Sequence, residues 1–341
     1  PMDYEFITGV VPLGNINPPS HTFPTDHIYF YITRDEGADR PHTATLYSPG
    51  DMTVTGIVAS EHVNAGFADY MVHMEPHPDI TFMFYHVSTL SEEIFGDTSS
   101  FSTWKLDNEY ETGGETYRSW SKALDIEVKA GDIIGTVGGN PGQWAMDIGM
   151  YDARRESGTA ANPERWARSR YKHAVCPLDF YEEGPVLDKL LSLLTRDEME
   201  GDGTPCGAVL QDIPGTAQGN WFLSGVKATY PEDRHLAMVR SNTHPGRAVF
   251  SVGKSVPGLE SHNYQFLPRD SGTLNRDFKD VVPGGQIYSF QTDPFERART
   301  YDGIIIVTMP DADTLWIEAI RGAGADSGDL NFSDNKAVFV R

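Results

Sequence analysis

Short apolar runs, rich in β-branched and aromatic residues and cut off by Gly, Pro, Asp or Asn, recur along this chain and point it toward a mainly β architecture. The first half holds His27-Ile28-Tyr29-Phe30-Tyr31-Ile32, Val54-Thr55-Gly56-Ile57-Val58-Ala59, Tyr70-Met71-Val72-His73-Met74 and Thr81-Phe82-Met83-Phe84-Tyr85-His86. Ile126-Glu127-Val128-Lys129 and Asp132-Ile133-Ile134-Gly135-Thr136-Val137 follow, separated by Ala130-Gly131. The polar stretch 96–119 reads as a long surface excursion. In the second half the candidate strands are 219–226, 235–241, 248–253, 286–290, 303–309, 314–320 and 336–340. Their regular spacing predicts a sandwich or barrel.

Helical character is confined to the middle. Asn162 and Pro163 have the form of a cap and first helical position. Residues 185–200 place Val186, Leu187, Leu190, Leu191, Leu193 and Leu194 on one broad face, with Gly201-Asp202-Gly203 as the stop. The expected organisation is a β domain over 1–182, a helical connector over 183–205 and a sandwich or barrel domain over 206–341.

With 39% hydrophobic and 11% aromatic residues among 341, each half has enough apolar side chain for its own core. The net charge of −22 opposes nucleic acid and anionic membrane surfaces as partners, because like charges repel. No run of 18 apolar residues occurs, so no helix is expected to insert into a bilayer. The two cysteines, Cys176 and Cys206, lie outside any zinc-knuckle spacing. Each adjoins a proline at one end of the connector, and two free thiols and a disulfide both agree with that placement.

Of eleven histidines, His21, His27 and His86 carry the chemical interest. His21-Thr22-Phe23-Pro24-Thr25-Asp26-His27 offers two imidazoles and a carboxylate at the mouth of a strand, donors suited to a divalent metal. Asp26 and His27 point to opposite faces if the strand has begun there, so only one serves a given site. The plainer reading has His21 and Asp26 bracing a turn around Pro24.

Over residues 8–181 the chain resembles the LytM/lysostaphin-type zinc endopeptidases, which have a duplicated-hybrid-motif β fold. His21 and Asp26 stand where that family has its His-x-x-x-Asp pair, with one extra residue between them. Val54-Thr55-Gly56-Ile57-Val58 resembles the early strand, and Phe84-Tyr85-His86-Val87-Ser88 the aromatic-x-His segment. Val128-Lys129-Ala130-Gly131-Asp132-Ile133-Ile134-Gly135-Thr136-Val137-Gly138-Gly139 is the fullest match. Ala145-Met146-Asp147 occupies the His-x-His position, and Cys176-Pro177-Leu178 the closing segment.

The resemblance implies a LytM-like domain with metal ligands at His21, Asp26 and Asp147, His27 as the alternative ligand, and His86 as the supporting catalytic group. Zinc is the family's metal; two carboxylates and one imidazole would shift preference toward calcium, manganese or magnesium. Ala145 has replaced a histidine and can act as neither acid, base nor donor. The expected function is therefore a catalytically degenerate, exported or cell-surface protein, its signal peptide removed. Such a protein would use the scaffold to bind an envelope glycan, a peptide or a protein partner, or to self-associate through strand edges. It needs no metal for that. The rival expectation is a metal-dependent peptidase or amidase with an altered His/Asp/Asp site.

Two further signals are weaker. Gly219-Asn220-Trp221 carries the Gly-x-Trp pattern of lipocalin-like barrels, which enclose an apolar pocket; the plainer reading makes Trp221 a core anchor. No Gly-x-Ser-x-Gly elbow occurs, and Asp326-Ser327-Gly328-Asp329 lacks the spacing of a calcium loop.

Overall fold

The computed structural model describes residues 1–112, 115–166, 170–195, 205–324 and 330–341. The chain forms two compact units, each mainly β and built on antiparallel sheet. The first comprises Pro1–Val11, His27–Arg155 and His173–Thr195; the second comprises Pro12–Asp26, Glu156–Lys172 and Arg196–Arg341.

In the first unit the strands are β1 (Ile7–Val11), β2 (His27–Ile32), β3 (Ala44–Tyr47), β4 (Met52–His62), β5 (Phe67–His77), β6 (Ile80–Leu90), β7 (Lys105–Thr112), β8 (Glu115–Val128), β9 (Ile133–Val137) and β10 (Ala145–Asp152). Eight of them run in the order β1-β2-β10-β6-β5-β4-β8-β7, while β9 pairs with β3 and β6. Central β10 is buried along nearly its whole length, between β2 and β6. Ile28, Phe30, Phe84, Met146 and Ile148 are all essentially inaccessible there.

Two glycines of the family-like turn have distinct physical reasons. Gly131 sits at φ +88°, a conformation that costs other residues strain. At Gly135 an added Cβ would lie 1.9 Å from the Thr89 carbonyl oxygen, so only glycine lets β9 close on β6.

Within the stretch read as a surface excursion, residues 96–104 lie outside any strand, but 105–112 form β7 and 115–119 the start of β8. Its polarity misled because this hairpin is held by cross-strand polar pairs such as Arg118 and Glu109, 2.5 Å apart. A short helix, α1 (Glu92–Phe95), precedes it. The helix expected over 185–200 appears as α2 (Pro185–Ser192). It stops where the chain turns to pair with β1: Val10 donates to the Leu193 carbonyl, and Thr195 donates to that of Val10. Residues 196–204, with the expected stop at Gly201-Asp202-Gly203, lie outside the described residues, as does Asp326–Asp329.

The second unit pairs β11 (Gly158–Thr159) in parallel with β12 (Leu210–Gln211). Its main sheet has eight strands: β13 (Gly219–Leu223), β14 (Leu236–Arg240), β15 (Ala248–Val252), β16 (His262–Phe266), β17 (Tyr288–Phe290), β18 (Gly303–Asp311), β19 (Thr314–Arg321) and β20 (Ala337–Val340). Their order, β16-β15-β14-β13-β20-β19-β18-β17, makes a nearly closed, barrel-like sheet, and a bridge between Gln265 and Asp293 draws its two ends together. Strand β16 escapes detection in the sequence because His262, Asn263 and Gln265 break its apolar character.

The lipocalin-like pocket is not present among the described residues. Phe250, Phe266, Phe278 and Phe290 fill the interior, their ring centroids 4.8–5.9 Å apart. Trp221 is a core anchor: its indole N–H donates to the Ala217 carbonyl at 2.8 Å, and the Arg341 guanidinium lies 4.1 Å from its ring. Truncating Phe250 to Ala is expected to cost about 3–5 kcal/mol, measured by denaturant unfolding.

The units cross the expected domain boundary because residues 12–26 and 156–172 supply apolar groups to the second unit. Ile16, Phe23 and Trp166 pack there with Leu210, Phe222 and Val239. Both cysteines are disulfide-bonded, which settles the alternative left open by their spacing.

Candidate functional site

The residues that carry chemistry in the first unit gather where β2, β10 and β6 lie side by side. In register, Asp147 of β10 faces Tyr29 of β2 and Tyr85 of β6. Its Oδ2 lies 3.6 Å from His27 Nε2 and 3.5 Å from His86 Nε2. Asp147 is only 4% exposed, and its Oδ1 has no hydrogen-bond partner. Burial pushes its carboxyl above the ordinary range, against the pull of His86 and His27.

His86 is held from its other side. Its Nδ1–H donates to Asp69 Oδ2 at 2.6 Å, since a carboxylate can only accept. Asp69 also accepts from Gln143 Nε2 at 2.8 Å and lies 3.4 Å from His62 Nε2. Asn140 in turn donates to Gln143 at 2.9 Å. Burial would raise the Asp69 pKa, but contacts with His62 and His86 outweigh it and bring it down to about 2. For His86, burial opposes the charged ring, yet the bond to Asp69 and the charges of Asp147 and Asp69 raise its pKa to about 9. Its side chain is nonetheless 45% exposed, so water screens part of that attraction.

The backbone at His86 is unusual. Its φ of +59° lies in the left-handed region, which costs a non-glycine residue on the order of 1–2 kcal/mol. The kink falls where the register of β6 slips against β9, between Val87 and Thr89. The site therefore presents one exposed imidazole, backed by two buried carboxylates and fixed in orientation.

His86, Asp147 and the alternative ligand His27 are thus neighbours in one unit. His21 and Asp26 belong to the other unit. There His21 exchanges backbone hydrogen bonds with Asn17, and the nearly inaccessible Asp26 pairs with Arg170 Nε at 3.1 Å. The expected ligand set of His21, Asp26 and Asp147 is thus contained in neither unit. Among the described residues no group of three or more His, Cys, Asp or Glu side chains is arranged to hold a metal ion. The zinc centre that the resemblance implies is therefore not assembled within either unit by itself.

His62, Asp69 and Gln143 were not picked out from the sequence. A signal for two of them existed: Asn64-Ala65-Gly66 marks a tight turn, and the hairpin it closes brings His62 and Asp69 near each other. Comparisons of the chain with protein-family models, with curated proteins and with solved structures gave no match.

Proposed function

We propose that the first unit is a LytM-like domain that binds rather than cleaves, in an exported or cell-surface protein. Its ligand is an envelope glycan, a peptide or a protein partner, engaged through a carbonyl or carboxylate oxygen. The observation that carries this reading is the Asp69–His86–Asp147 arrangement, a locked and exposed imidazole donor. Ala145, at the position of the family's first His-x-His histidine, adds no second catalytic group. The adjacency of β2, β10 and β6 supports the family reading, because it gathers His27, Asp147 and His86. The disulfide-bonded cysteines support an oxidising compartment.

A rival reading, a metal-dependent peptidase or amidase with an altered site, draws on the buried, unpartnered Oδ1 of Asp147. One experiment separates the two. Wild type and His86→Ala are assayed for retention on insoluble envelope peptidoglycan, for peptide release from it, and for zinc, calcium and manganese by equilibrium dialysis. The expected result is retention without release, weakened about tenfold in the variant, the worth of one charge-assisted hydrogen bond. Metal-dependent release, or retention indifferent to His86, would overturn the binding reading.

A further inference from the structure

We propose that the second unit carries a ligand site of its own, an open cleft for a small peptide-like zwitterion bearing a free amine and a free carboxylate. This goes beyond the reading of the first unit and does not depend on it. The cleft has a volume of about 500 Å³, and the described residues that line it all belong to the second unit. That volume lies within the range of small-molecule sites.

Its wall carries both signs of charge, with Glu156 and Glu164 exposed and Lys172 half-buried. Among the described residues none of the three takes part in an ion pair, and all three line this one cleft. Opposite charges that share a wall without neutralising each other can be satisfied together by a molecule that carries both. Half-burial makes Lys172 the stronger anchor, because a charge near low-dielectric surroundings is less screened.

The backbone supports a peptide-like occupant. Gly158 and Thr159 line the cleft and are exposed, and among the described residues their strand β11 pairs with β12 alone, in a two-stranded sheet. Its other edge can meet an extended chain, as sheet edges do in peptide recognition. Buried Trp166 and Leu210 add apolar lining to the cleft. An ammonium against the glutamates and a carboxylate at Lys172, joined by a short amide chain, would match all of these features.

The test is calorimetric titration of the disulfide-intact full chain with triglycine, N-acetyltriglycine and triglycinamide. Triglycine is expected to bind saturably, and each capped form about fivefold more weakly, as the loss of one partly exposed charge contact requires. Lys172→Met should abolish the preference over triglycinamide, and the Glu156→Gln/Glu164→Gln double variant the preference over N-acetyltriglycine. All three substitutions are at charged side chains of the cleft wall, and circular dichroism checks that the fold is kept. Absence of saturable triglycine binding, equal binding of all three peptides, or preferences that survive both variants would overturn the proposal.

Discussion

Replacing Glu232 by Gln is expected to stabilise the protein by about 3 kcal/mol at pH 8 and by less than about 1 kcal/mol at pH 5. Glu232 is 5% exposed in the second unit. Its carboxylate accepts from the Phe23 backbone N–H at 3.0 Å and from the Tyr171 hydroxyl at 2.9 Å. Burial nevertheless dominates and, helped by the charge of Asp26, raises its pKa from 4.5 to about 7. A carboxyl whose folded pKa is raised holds its proton longer in the folded chain than in the unfolded one. Stability therefore falls as pH climbs from the unfolded value through the folded one. A glutamine has no proton to lose. Its carbonyl can still accept from Phe23, and its amide can donate to the Tyr171 oxygen. Denaturant unfolding of both proteins at pH 5, 6.5 and 8 checks this; parallel pH profiles would show that Glu232 is not the cause.

Replacing Asp69 by Asn is the second large effect, expected to cost about 2 kcal/mol at pH 6 and to lower the His86 pKa by at least about one unit. The energy is that of a hydrogen bond to a charged group, and water screens the rest of the attraction because the His86 side chain is 45% exposed. The pH window follows from the two partners. The Asp69 contribution is present above pH 3.8 and is lost as pH falls through about 2. The His86 contribution is full below pH 6.5 and is lost as pH rises through about 9. The cost of the substitution should therefore be largest between pH 4 and 6.5 and fade at either extreme. Histidine NMR titration reads the pKa, and chemical unfolding reads the energy. An unchanged His86 pKa in Asp69→Asn would mean that the bond to Asp69 does not set its protonation.

Strands with an apolar face were legible because their pattern is local. The run 27–32 coincides with β2, and the run 54–59 falls inside β4. Strand β7 and the start of β8 were missed because two polar strands that satisfy each other resemble a loop when read one residue at a time. The site was half legible. His86 and Asp147 stand in motif-like positions, whereas Asp69 is one buried aspartate among many acidic residues until β5 is laid beside β6.

Residue order alone determined the β architecture and the two families of strands, because side-chain alternation and turn chemistry act over a few positions. Tertiary structure alone decided that Asp69 locks His86, that Asp26 answers to Arg170, and that residues 12–26 and 156–172 join the second unit. Those outcomes depend on which distant apolar groups find a common core and which buried charges find a partner. Neither competition is written in local sequence.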